Sequence, residues 1–247
     1  MTPEATPLHF GAYWGAREES VEQVAARIGE TMRALGDVHQ ALGSWWWEDR
    51  EEPVEPGSPW FMDTVAEARR GHSDDAPMEG VGYSIGFHSE QFPDYHSGPG
   101  ADGMSSLRFR AGESAIPRLG NAVSFSLPLP EDAPSGLYDL SGMRNAVHWL
   151  AEIWLPEHAL CATRAQRDAQ GNWMKVSPKV GWITYLGPTY IDGIERAELP
   201  HGVKAAPRAD GALLWFPQPV EDVTPAMVVD LRQALVEAGC LPPGDQG

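Results

Sequence analysis

Helices and strands are mixed along this chain without regular β-α-β alternation, which predicts an α+β fold: a mixed, largely antiparallel sheet packed against about four helices. Two observations carry the expectation. Two segments alternate strictly, with Leu107 and Phe109 opposed to Arg108 and Arg110, and Val123 and Phe125 opposed to Ser124 and Ser126. Such alternation marks strands that bury one face. Elsewhere, apolar residues recur at helical spacing behind polar capping residues.

Taken in order, Leu8 to Gly15 reads as an opening strand ending in a glycine turn. Ser20 and Gln23 form a capping box, followed by Val21, Val24, Ile28, Met32 and Leu35 on one helical face and Gly36 as the expected stop. Ser58-Pro59 starts a second helix that is expected to turn Phe61, Met62, Val65 and Ala68 inward. Strands are predicted at Val81–His88, Ser106–Ala111 and Asn121–Leu127. Ser141 opens a third helix with a wide apolar face, from Met143 to Trp154. The short runs HALCATR, VGWITYLG and GALLWFPQ read as central strands, and Thr224-Pro225 caps a last helix ending at Gly239. Two long polar connections, Glu48–Gly57 and Ser89–Gly103, interrupt this order, and long loops are more often functional than accidental.

The 247 residues are read as one domain spanning 1-247, with 1-7 and 242-247 as flexible tails. A hydrophobic fraction of 42% with ten Trp fits a packed core, and the net charge of −17 disfavours nucleic acid or an anionic membrane as partner. It favours a basic partner, or serves solubility alone. The N-terminal stretch MTPEATPLHF has neither a basic nor an apolar leader segment, and no apolar run reaches the ~20 residues of a spanning helix, so the expected compartment is the cytoplasm. Cys161 and Cys240, far apart, are expected as buried thiols.

The stretch GYSIG, Gly82 to Gly86, matches the G-x-S-x-G of serine hydrolases, which require the serine at a sharp strand-to-helix turn. Here the strand alternation runs straight through Ser84, and the plainer reading is a strand whose small-residue face admits a closely packed helix. His88 and His96 with Glu90 and Asp94 share one loop but match no metal-ligand spacing. His148 and His158 flank the third helix and are expected at its surface. No catalytic, cofactor-binding or metal-binding residue is assigned, and no small-molecule substrate is expected.

The stretches GAYWGAREES, AVHWLAEIWLPEHALCATR and GWITYLG, with the closing DLRQALVEAGCL, resemble in content and order the immunity protein 52 family of bacterial polymorphic toxin systems. The resemblance spans about Leu8 to Leu241. It implies a non-enzymatic α+β antitoxin that neutralises a secreted toxin, with a restriction-endonuclease-like nuclease as the usual neighbour and type VI or contact-dependent secretion as the usual delivery. It also implies that Trp14, Gly15, Gly181, Trp182 and Tyr185 define the fold. The long Glu48–Gly57 and Ser89–Gly103 segments depart from the family pattern.

The stretch GSWWWEDREEPVEP supplies the candidate binding residues. On a strand, Trp45 and Trp47 would face one side and Trp46 the other. If one side is uncovered, it forms an aromatic anchor beside an acidic rim, the composition of an interface hot spot. Residues 48–75 carry nine acids against three Arg. Trp46, Trp47, Glu48, Asp49, Glu51 and Glu52 are therefore the candidate partner-binding residues, for a basic nuclease domain whose cationic groove an acidic inhibitor would match. The alternatives are two buried faces with a solvated acidic loop, a serine hydrolase using Ser84, and a generic acidic adaptor.

Overall fold

The computed structural model describes residues 7–48, 52–68, 72–73, 76–77, 80–89, 105–115, 120–171, 178–208 and 210–243. Strand β1 (His9–Trp14) leads into helix α1 (Val21–Val38). Ser20 starts that helix: its side chain accepts from Gln23 N–H while the Gln23 side chain accepts from the Ser20 N–H, completing the expected box. The helix does not stop at Gly36. It continues to Val38, because a residue without Cβ at position 36 lets the turn at Gly43 fold back onto it, with 3.1 Å from an added Cβ to the Gly43 Cα.

Strand β2 (Trp46–Trp47) and helix α2 (Pro59–Glu67) follow. Helix α2 starts at Ser58-Pro59 as predicted, yet its inward face is Phe61, Thr64 and Val65; Met62 is 41% exposed. The nine-residue helix is too short for its apolar pattern to fix the rotation, and contact with the sheet decides it. Strands β3 (His72–Ser73) and β4 (Ala76–Pro77) form a separate pair. Then come β5 (Val81–His88), β6 (Ser106–Glu113) and β7 (Asn121–Ser126), within two residues of the predicted bounds.

Helix α3 (Leu140–Trp154) is capped by Asp139, whose carboxylate accepts from Ser141 and Gly142 N–H. It is followed by β8 (His158–Ala162), α4 (Arg164–Asp168), β9 (Ile183–Leu186), β10 (Lys204–Arg208), β11 (Gly211–Trp215) and α5 (Pro225–Glu237). The sequence did not flag β10, a strand of exposed and charged residues, or the five-residue α4.

Among the described residues, nine strands form one sheet in the order β10-β11-β9-β8-β1-β7-β6-β5-β2, with every pairing antiparallel. The fold is α+β. Helices α1, α2 and α3 cover one face, where Phe10, Ala12, Ile85, Phe87, Phe109, Val123, Phe125 and Trp154 form the core. On the other face, α4 packs against α5, and Leu160, Thr184 and Leu214 at the β8-β9-β11 end are buried. Over β5 and β6 the same face carries the exposed side chains of Ser84, Arg108 and Arg110.

Both sheet edges are blunted against strand addition. Strand β2 is two residues long and its outer side is taken by Pro53, which bridges Trp46. Strand β10 carries Lys204, Pro207 and Arg208. Cys161 and Cys240 are buried thiols.

Candidate partner-binding surface

The tryptophan run sits at the sheet edge, and the pleat separates its members as the alternation requires. Trp46 and Trp47 pair with His88 and Phe87. Trp45 and Trp47 point into the core, 3% and 4% exposed. Trp45 meets Phe125 edge-on at 6.1 Å and donates its indole N–H to Leu42 O. Trp47 lies among Trp60, Phe61 and Phe87, with ring centroids 5.9, 5.7 and 4.9 Å away. Trp47 is therefore corrected from surface anchor to core residue: α2 covers its side of the strand. Trp46, half-buried on the other side, keeps an accessible aromatic surface.

The acidic residues divide as well. Glu48 and Glu52 are exposed; Asp49 and Glu51 lie outside the described residues. Glu48 is not the uncompensated charge the sequence suggested. Its carboxylate pairs with the Arg108 guanidinium and lies across Gly86, whose missing Cβ leaves room for it. The exposed guanidinium of a neighbouring strand supplied that partner, 60 residues away in sequence.

This also corrects the reading of GYSIG. Among the described residues, no helix packs on the small-residue face; α2 lies on the opposite side, with Phe87 and Ile85. Gly86 and the exposed Ser84 belong to the open face. Ser84 sits mid-strand opposite Arg110, with no turn at the serine. His88 faces Trp46 across the β2-β5 pair, while His96, Glu90 and Asp94 lie outside the described residues. Among the described residues, no group of three or more His, Cys, Asp or Glu is placed to hold a metal ion.

His158 is not a helix-surface histidine. It opens β8 and stacks on Tyr13 of β1 at 4.9 Å, with Tyr190 edge-on at 6.2 Å. Desolvation among these rings lowers its pKa to about 4. On the same face, burial and then the charge of Arg167 lower His9 to about 3. Pairing of β1 with β8 creates this cluster, so sequence spacing gave no sign of it.

The five scaffold positions occupy structural sites. Trp14 is 6% exposed and stacks on Trp154 at 5.2 Å. Gly15 donates its N–H to the Glu157 carboxylate at 3.2 Å. A Cβ on Gly181 would lie 2.4 Å from Cys161 O, so only glycine lets the chain pass there. Trp182 is 1% exposed, with its indole N–H donated to Gln218 O at 2.9 Å. Tyr185 is buried, and desolvation raises its pKa to about 12. A hollow of about 240 Å³ lies between α1 and the β2 hairpin, lined by Met32, Arg33, Trp45 and Val54.

No family model matches the chain, and no curated protein matches it. Among solved structures it is similar to the Pseudomonas aeruginosa T6SS protein PA0821, with a TM-score of 0.55 and 14% sequence identity over 93% of this chain and 75% of that one. At that identity the likeness is one of fold. Among the described residues, no helix is long and apolar enough to cross a membrane.

Proposed function

We propose that this chain is an immunity protein that binds a cognate secreted toxin and neutralises it by occlusion, without catalysing a reaction of its own. The observation that carries the reading is a fold shared over 93% of the chain with a protein of a type VI secretion system. The likeness of its Tyr-Trp-Gly, Ile-Trp-Leu-Pro and Gly-Trp-x-Thr-Tyr-Leu stretches to immunity protein 52 points the same way. The toxin is proposed to be a basic nuclease and the site of action the cytoplasm, where such an enzyme would meet its substrate.

Physical chemistry supports this pairing. A nuclease presents a cationic groove to phosphate, and a chain of net charge −17 attracts it from a distance. Opposed fields of this kind raise association rates by roughly 10–10³-fold. Trp46, half-buried beside the exposed Glu48 and Glu52, provides the short-range anchor.

Co-expression with the toxin encoded by the adjacent gene tests the reading. Growth should be restored and the two proteins should co-purify. Growth arrest that persists although both proteins are soluble overturns it.

A further inference from the structure

At the far end of the sheet from Trp46, α3 and the β10-β11 hairpin bring together residues that sequence distance conceals. The Arg144 guanidinium lies 3.8 Å from the centre of the Trp215 ring. Burial first, then the charge of Arg208, lowers the Arg144 pKa; His148 is lowered by burial and by the same Arg208, against the raising effect of Glu152. Lys204, exposed, pairs with Trp215 across the hairpin. Trp149 is 39% exposed and packs on His148 at 5.2 Å, extending the aromatic surface.

Arg144 and Lys204 thus flank a partly exposed tryptophan, with Arg208 further along the same strand as Lys204, opposite Gly211, in a chain of net charge −17. Among the described residues, no carboxylate lies within ion-pair distance of Arg144, Arg208 or Lys204. Glu152 and Asp210 sit close by on the Tyr185 side, but Glu152 reaches only His148, at 3.7 Å. Among the described residues, the Arg144 Nε has no hydrogen-bond partner, and the His148 Nδ1 has only the Glu152 carboxylate, at 3.7 Å. Donors held in this state, with like charges left beside each other, are stabilised by an incoming anion.

The geometry points to a second docking surface, made by Arg144, Arg208, Lys204, Trp215 and Trp149, that takes an acidic segment of a protein partner. Carboxylates fit the unpaired guanidinium groups, and Arg stacked on Trp is a frequent interface hot spot. A nucleic acid would offer both anions and rings to stack, but its phosphate chain needs a continuous basic track, and here the cations are flanked by Glu152 and Asp210, so isolated carboxylates of a peptide are the better fit. The surface lies roughly 35 Å along the sheet from Trp46, counting about 4.8 Å per strand. A partner held there leaves the Trp46 edge free.

The test is fluorescence anisotropy of a labelled twelve-residue peptide alternating Glu and Leu, titrated with the full chain at low salt. Saturable binding is expected, weakened at least tenfold by Arg144→Glu with Arg208→Glu and by raised salt, and absent for the same peptide with Lys in place of Glu. Arg208→Glu alone, at an exposed position, should weaken binding several-fold with an unchanged melting temperature, which separates docking from folding. Arg144→Lys should weaken it too, since an ammonium neither stacks on Trp215 nor forks onto a carboxylate. Peptide binding that is absent, or indifferent to the Arg substitutions, overturns the proposal. So does tighter binding of a labelled twelve-nucleotide single-stranded DNA. Self-association of the chain that the Arg substitutions abolish overturns it as well, by making a second copy the occupant.

Discussion

The indole N–H of Trp154 donates to Thr31 Oγ1 at 2.8 Å, joining α3 to α1 inside the core, with both residues no more than 1% exposed. The threonine hydroxyl in turn donates a hydrogen bond to Arg27 O at 2.8 Å, so each polar atom of the pair is satisfied. Thr31→Val keeps the shape but strands a buried donor, and should cost about 1–3 kcal/mol. Thr31→Ser should cost clearly less. Urea unfolding of both variants checks this, and equal losses would mean that the methyl group matters rather than the bond.

Trp14→Ala and Trp182→Ala should each cost about 3–5 kcal/mol through lost burial and the cavity left behind. Replacement by Phe separates the two sites. Among the described residues the Trp14 Nε1 has no hydrogen-bond partner, whereas Trp182 Nε1 donates to Gln218 O. Trp182→Phe should therefore be the more damaging of the two Phe variants, as measured by the denaturation midpoint.

For the proposed toxin complex, neutralising Glu48, Asp49, Glu51 and Glu52 to Gln or Asn should slow association and leave folding nearly unchanged, since exposed ion pairs contribute little to stability. The loss should be largest at low salt, where the Debye length is ~30 Å at 0.01 M against ~8 Å at 0.15 M. Glu48 contributes least, because Arg108 already offsets its charge. Stopped-flow binding at two salt concentrations measures this, and an on-rate unchanged at low salt places the acidic loop away from the toxin.

Trp46 and Trp47 should part company in the same assay. Trp46→Ala should raise the dissociation rate and leave the melting temperature nearly unchanged, since a packed anchor acts after docking. Trp47→Ala should instead destabilise the fold by about 3–5 kcal/mol, as expected for an indole enclosed by Trp60, Phe61 and Phe87. A Trp46 variant with wild-type residence time sinks the anchor role.

His158 makes stability depend on pH in a defined window. Its folded pKa of about 4 lies below the ordinary 6.5, so between these values the unfolded chain takes up more protons. Stability therefore falls as pH drops from about 6.5 towards 4, and the loss levels off below that. Over the window the effect of His158 is roughly 3 kcal/mol. His158→Gln should flatten the pH profile of the unfolding free energy there, relative to wild type. A variant with an unchanged slope would show that the histidine is solvated.

The sequence by itself determined where most elements lie. Capping at Ser20 and Thr224-Pro225, and the proline start at Pro59, are local chemistry, as is the alternation through Leu107–Arg110 and Val123–Ser126, and each appears in the structure as read; the Ser58 hydroxyl instead donates to Glu55 O and caps nothing. It also determined that Trp45 and Trp47 share one face and Trp46 takes the other, because the strand repeat is two. Covering of those faces belongs to tertiary structure. Helix α2 buries Trp47 and leaves Met62 exposed; Arg108 meets Glu48; and, among the described residues, no helix comes to the small-residue side of β5. His158 is enclosed only because β8 pairs with β1, and Arg144 finds Trp215 only because β11 runs beside β9 under α3. Periodicity states which side chains travel together, but the energy of placing them depends on contacts between residues dozens of positions apart, which no local pattern encodes.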